Sequence, residues 1–254
     1  MSERKHLIKL YAKELRLPSF ARYEQLAREA EKNGYAYEEF LLRLMQNELE
    51  NRQENKQKYR IKQAKFPSIK SLDTFEFANL PELEPARIWQ LAECNYLEHR
   101  ENIVFIGNPG TGKTHLASGL ALMACQKGYR VRFYTAATLA NDLLEAKEQR
   151  TLSRLEKQLD KIQLLVLDEL SYLTFSRPSA ELLFQVISNR NERGSTIITT
   201  NLEFSRWTEI FADPLLTSAI VDRMTHRSHI IDTNGSSYRL KQRLTEAARF
   251  TGND

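Results

Sequence analysis

The sequence predicts an α/β protein, a mostly parallel sheet covered by helices and preceded by a small all-helical domain. Three observations carry this. From residue 101 onward, short apolar runs alternate with amphipathic stretches of helical length, the pattern of strand–helix–strand repetition. The runs are almost continuously apolar, as strands buried on both faces require. The first 65 residues instead place their apolar side chains at helical spacing.

In chain order, Leu7, Leu10, Tyr11, Leu15 and Leu17 outline a first helix that must stop by Pro18. A second helix is expected over 19–33, closed by a turn at Asn33 and Gly34. A third begins near Tyr37, with Phe40, Leu41, Leu44 and Met45 on one face. From Glu50 the apolar face is lost, and ENRQENKQKYRIKQAKF reads either as a polar helical extension or as a linker. Residues 1–65 are therefore expected to form a helical N-terminal domain. Residues 66–100 form a connector with Pro67, LDTFEF, Pro81 and Pro85, and then a helix through Trp89 and Leu97. Phe75 and Phe77 are expected to pack on the domain that follows. In 101–254 the strands are NIVFIG, VRFYT, LLVLD, STIITT and SHIIDT. Helices are expected around 116–126, 139–147 and 180–193, with Trp207 anchoring another.

The chain has 254 residues, enough to bury a core without staples, and its 41% hydrophobic and 28% charged content is that of a globular protein. No apolar run approaches the roughly 18 residues that a membrane helix needs. MSERKHLIKL lacks the apolar stretch of a secretory signal. Cys94 and Cys125, each within an apparent helix, have neither metal-ligand spacing nor a disulfide framework. A cytoplasmic, membrane-free protein is the expectation. Residues 1–66 carry fifteen Lys and Arg against ten Asp and Glu, an excess of five that exceeds the whole chain's net charge of +4. This front-loaded charge suits an anionic partner such as nucleic acid, or a solvated helical surface.

Residues 107–114, GNPGTGKT, match G-x-x-x-x-G-K-[ST] in full, with an apolar strand before and a helix after. Gly107, Asn108, Pro109, Gly110, Thr111 and Gly112 would wrap backbone N–H groups around phosphate oxygens, at a helix N-terminus that favours anions. Lys113 would reach the β- and γ-phosphates, and the Thr114 hydroxyl would bind Mg²⁺. LLVLDE places Asp168 at a strand's carboxyl end, where open α/β sheets bind ligands. Alone, two acids there could be a helix N-cap. With the phosphate loop they read as the Mg²⁺-holding Asp168 and a water-polarising Glu169. Asn201, at the end of STIITT, is either a turn residue or an amide that orients the attacking water.

In this order, GNPGTGKTHLA, LLVLDEL, IITTN and IVDRM resemble an AAA+ ATPase. The set is more closely similar to the IstB-type transposition helper ATPases of bacterial insertion sequences, relatives of the DnaC helicase loader. His115-Leu116-Ala117 and the closing GSSYRLK from Gly235 fit that group. The resemblance covers essentially the whole chain, and it implies an AAA+ core over 101–254. It makes Asn201 a sensor and Arg223 an arginine finger acting on a neighbouring subunit's ATP, where the reading from residues alone is a helical salt bridge with Asp222 or a neighbour. It sets His115 and Arg239 beside the nucleotide, Arg239 as a second sensor. Only fifteen residues follow Arg239, too few for a full helical lid, so a packing or DNA role stands beside the sensor role.

The same resemblance implies a protein that binds ATP and Mg²⁺, forms homo-oligomers through its ATP sites, binds duplex DNA and assists a transposase. Lys56, Lys58, Arg60, Lys62 and Lys65 are the local candidates for DNA contact, with a solvated linker as the alternative. If helical, Lys58, Lys62 and Lys65 share a face. No residue suits base reading, so weak sequence preference and strong salt dependence are expected. A DnaC-like helicase loader and a small-molecule kinase with the same loop are the competing functions.

Overall fold

A computed structural model describes residues 3–172, 174–211, 213–235 and 237. The chain divides into two units, Met1–Tyr59 and Arg60–Asp254.

The first unit holds α1 (Glu3–Glu14), α2 (Glu24–Asn33) and most of α3 (Tyr37–Ala64). The single helix expected over 19–33 is split: a 3₁₀ turn, Phe20–Arg22, precedes α2. Gly34 ends α2 in the left-handed conformation, φ +66°. The polar stretch after Glu50 is a helical extension of α3 and not a linker. Straight-chain Glu, Gln, Lys and Arg favour helix, and α3 carries one-turn ion pairs, Arg52 to Glu48 at 2.7 Å and Lys58 to Glu54 at 3.2 Å. Glu48 is buried and accepts from the Ser19 backbone N–H at 2.9 Å, tying α3 to the turn after Pro18. Burial alone would raise the Glu48 carboxyl, but hydrogen bonds from Arg52 and Ser19 outweigh it and hold the group below the usual range.

The second unit takes in the end of α3, two 3₁₀ turns (Leu72–Thr74 and Phe77–Asn79), α4 (Pro85–Ala92) and α5 (Asn95–Glu98). β1 (Asn102–Ile106), α6 (Lys113–Gln126), β2 (Val131–Thr135), α7 (Ala136–Glu148) and α8 (Leu152–Leu159) follow. The chain continues through β3 (Leu164–Asp168), α9 (Arg177–Arg190), β4 (Ser195–Thr200), α10 (Thr208–Phe211), α11 (Pro214–Thr225) and β5 (Ser228–Asp232). The strands form one sheet in the order β2-β3-β4-β1-β5, and every pairing is parallel. Alternate residues of each strand face opposite sides. Ile103, Phe105, Val166 and Ile197 join α6 and the connector's Leu72, Leu80 and Ile88 in one core layer. Val104, Leu165, Leu167 and Ile198 join α7, α9, Trp207 and Ile220 in the other. Trp207 is fully buried, and its indole N–H donates to the Leu202 carbonyl at 3.1 Å.

Both cysteines are buried, and burial pushes their thiols up, to about 11 for Cys94 and about 12 for Cys125. Cys94 is not within a helix; it turns the chain between α4 and α5 at φ +66°.

Arg190 drew no notice in the sequence, yet it is a main tie at the amino ends of β3 and β4. Its guanidinium is buried and donates to the carbonyls of Leu159 (3.1 Å), Ile162 (3.0 Å) and Ser195 (2.9 Å). Burial lowers its pKa to about 10, so it stays charged at neutral pH. Arg190→Met keeps the aliphatic stem but strands those carbonyls. It should cost about 2–4 kcal/mol in denaturant unfolding. A loss within about 0.5 kcal/mol, the range of an ordinary surface change, would show that the ties contribute nothing net.

Candidate functional site

The loop between β1 and α6 is braced from two sides. On one side runs the chain after β5. The Thr233 N–H donates to the Ile106 carbonyl at 2.7 Å, and Asn234 Oδ1 accepts from the Asn108 N–H at 3.1 Å. A Cβ on Gly107 would lie 2.5 Å from Thr233 Oγ1 and 2.7 Å from the Thr233 carbonyl carbon, so only glycine fits this crossing. On the other side lies the connector. Gly112 caps α6 at φ +95°, and a Cβ there would meet the Phe75 ring at 2.6 Å. Phe75 packs edge-on against Phe77 and His115, at 4.8 and 5.2 Å between ring centroids. His115 Nε2 sits 2.8 Å from the Ser71 carbonyl oxygen, which can only accept, so that nitrogen carries the proton. His115 lines the cavity described below, and its Nε2 holds the connector to α6.

Lys113 is buried at the start of α6, and its Nζ donates to the carbonyls of Gly107 and Asn108, both at 2.7 Å. A cation is thereby set inside the loop, at a helix N-terminus. Thr114 Oγ1 donates to Asp168 Oδ1 at 3.0 Å, joining the loop to the end of β3. Asp168 is buried, and burial raises its carboxyl above the usual range, against hydroxyl donation from Thr199 and Thr114 and the charge of Lys113. A hydroxyl and a carboxylate oxygen side by side are hard donors of the kind Mg²⁺ takes, and that ion needs few protein ligands when phosphates and waters complete its shell. The residues therefore fit Mg²⁺.

Glu169 and Asn201 stand exposed at the carboxyl ends of β3 and β4. Both line one cavity of about 370 Å³ together with the loop, Lys113, Thr114, Tyr172 and the connector's Phe75 and Leu80. The crevice follows from the strand order: β1 lies beside β4, away from β2, so the loop faces the tips of β3 and β4. The connector's share of this cavity had only a partial sequence signal, the aromatic pair in LDTFEF. Thr199, which bonds both Asp168 and the backbone of Glu169, had none.

Other expected residues lie elsewhere. Arg223, on α11, is not among the residues lining this cavity. It stacks over the Phe184 ring at 4.9 Å and donates to the Ala219 carbonyl at 3.3 Å, instead of pairing with Asp222. Lys56 and Lys58 are exposed on α3, and Lys58 is engaged by Glu54. Arg60, in the last turns of α3, is half-buried beside Gly128. Lys62 is exposed on α3. Lys65 does not share that helix: it follows Ala64, the last helical residue, at φ +56°. Arg239 lies outside the described residues, as does most of the stretch after Gly235.

The profile of the IstB-like ATP binding proteins matches residues 10–246. An ATP-binding protein of insertion sequence IS5376 from Geobacillus stearothermophilus is 38% identical over 96% of each chain. One of insertion sequence IS21 from Pseudomonas aeruginosa is 38% identical over 87% of this chain and 83% of its own. Among solved structures, the DnaC helicase loader is similar at 25% identity and a TM-score of 0.51, over 58% of this chain and 86% of that one. AMPPCP-bound DnaA from Aquifex aeolicus shares the fold at a TM-score of 0.58 and 19% identity, over 72% of this chain and 56% of that one.

Proposed function

The chain belongs to the IstB-like ATP-binding proteins of insertion sequences, and from that premise we propose that it is a Mg²⁺-dependent ATPase that assembles on duplex DNA and assists a transposase. One observation carries the hydrolytic part: Lys113, Thr114, Glu169 and Asn201 line a single cavity, with Asp168 bonded to Thr114 at its wall. The loop's N–H groups and Lys113 would bind the β- and γ-phosphates. Thr114 and Asp168 would hold Mg²⁺, which offsets phosphate charge when bound. Glu169 would polarise a water towards the γ-phosphate, and Asn201 would orient it. Arg223 would serve a neighbouring copy's cavity, a reading supported by its place outside the lining of its own. The site is then complete only between two copies, so nucleotide state and assembly are coupled.

The DNA-binding part rests on the basic excess of residues 1–66 and on the candidate residues Lys56, Lys58, Arg60, Lys62 and Lys65. Each copy offers few phosphate contacts, and assembly multiplies them. The test is fluorescence anisotropy with random-sequence duplex, with and without a non-hydrolysable ATP analogue, over a salt series. Tighter binding with nucleotide, a steep fall with log salt and indifference to sequence are expected. Binding that ignores nucleotide would sink the coupling, and absence of binding would sink the DNA role. The likeness to DnaC keeps a helicase-loader reading in view. Affinity capture separates the two: this proposal requires a transposase, the other a replicative helicase.

A further inference from the structure

We propose that Thr199 is the positioning residue for hydrolysis, its one hydroxyl setting both acids of the site. The inference rests on the ATPase reading above and adds a residue to it. Thr199 is buried in β4, opposite Phe105 in the ladder. Its Oγ1 donates to Asp168 Oδ1 at 2.5 Å and accepts the Glu169 backbone N–H at 2.9 Å. A threonine hydroxyl has a single proton, so the donation to Asp168 fixes its rotor and leaves its lone pairs aimed at Glu169.

Both bonds restrain something that chemistry at this site would need. Asp168 Oδ1 also accepts from Thr114 at 3.0 Å, so two hydroxyls restrain one carboxylate oxygen. Glu169 stands at φ +57°, a left-handed conformation that residues with a Cβ seldom adopt. The bond to its N–H helps to hold it there, beside the Tyr172 N–H that donates to the Glu169 carbonyl at 3.1 Å, with the side chain at the cavity wall. Freed of that bond, Glu169 would relax towards negative φ and carry its carboxylate away. The surrounding frame does not depend on the hydroxyl. Thr199's own carbonyl accepts the Leu170 N–H at 3.0 Å, and the Asn201 N–H donates to Ser171 Oγ at 2.8 Å. Removing the hydroxyl alone should therefore spare the strand and disturb the acids.

The test compares Thr199→Val, Thr199→Ser and wild type in the full chain, reading affinity for a fluorescent ATP analogue and single-turnover hydrolysis at saturating Mg-ATP. Thr196→Val, the same change at the other end of β4, is the control. Valine at 199 should lower the hydrolysis rate about 10²-fold, the usual cost of a displaced catalytic group, and leave ATP affinity unchanged. Serine should restore the rate, and Thr196→Val should match wild type. Should Thr199→Val lose its thermal unfolding transition, Thr199→Ala is read by the same split. Wild-type rates at valine, failure of serine to rescue, or a parallel loss in Thr196→Val would overturn the proposal. If wild type turns over and only these predictions fail, the ATPase reading survives; if wild type shows no turnover, both fall.

Discussion

Arg223→Ala is expected to bind ATP normally as a single chain and to hydrolyse it roughly 10³–10⁵-fold more slowly than wild type, the range for loss of an arginine supplied in trans. Arg223 is absent from the lining of its own cavity, and its guanidinium rests on Phe184 and the Ala219 carbonyl. Both contacts are weak enough to be exchanged for a phosphoryl oxygen, because cation–π contacts at partly exposed sites contribute only about 0.5–1 kcal/mol. The decisive measurement is complementation. Arg223→Ala keeps an intact Glu169, and Glu169→Gln keeps an intact Arg223. Each should be inactive alone, and a mixture should regain turnover at the mixed interfaces. No recovery on mixing, or near-normal turnover by Arg223→Ala alone, would mean that Arg223 does no more than pack α11 on α9.

Glu169→Gln should retain ATP affinity and lose about 10²–10⁴-fold in hydrolysis, the usual contribution of general base catalysis. The amide keeps the size and the hydrogen-bonding reach of the side chain but cannot take a proton. Glu169 is exposed at the cavity wall, whereas Asp168 beside it is buried and bonded by Thr114 and Thr199. On the proposed reading the two acids divide the work. Asp168→Asn should weaken the response to Mg²⁺, and Lys113→Ala should abolish ATP binding. Titration of a fluorescent analogue beside a phosphate-release assay separates these effects. Hydrolysis by Glu169→Gln at the wild-type rate would remove Glu169 from the chemistry.

The glycine-rich loop between β1 and α6, the two acids at the end of β3 and all five strands were legible in the sequence because each is a local pattern. Hydropathy over five or six residues marks a buried strand, and the glycine spacing of a phosphate loop lies within eight. The polar half of α3 was harder: loss of the apolar stripe is shared by helices and linkers, and propensity with one-turn ion pairs decided it. Cys94 and Lys65 were misplaced by one turn or less, since both sit in left-handed positions just past helix ends, where pattern says little.

By itself the sequence determined the glycine-rich loop, the two acids and the elements that carry them. Folding decided the company those residues keep. The connector reaches the loop and α6 across 37 and 44 positions, Phe75 to Gly112 and Ser71 to His115. Thr199 bonds Asp168 across 31, and Arg190 closes β3 to β4 from the far end of α9. Such pairings depend on strand order and register, and a slip of a single residue turns every side chain to the opposite face. No short window of sequence holds that information, because the buried area of the whole sheet sets it.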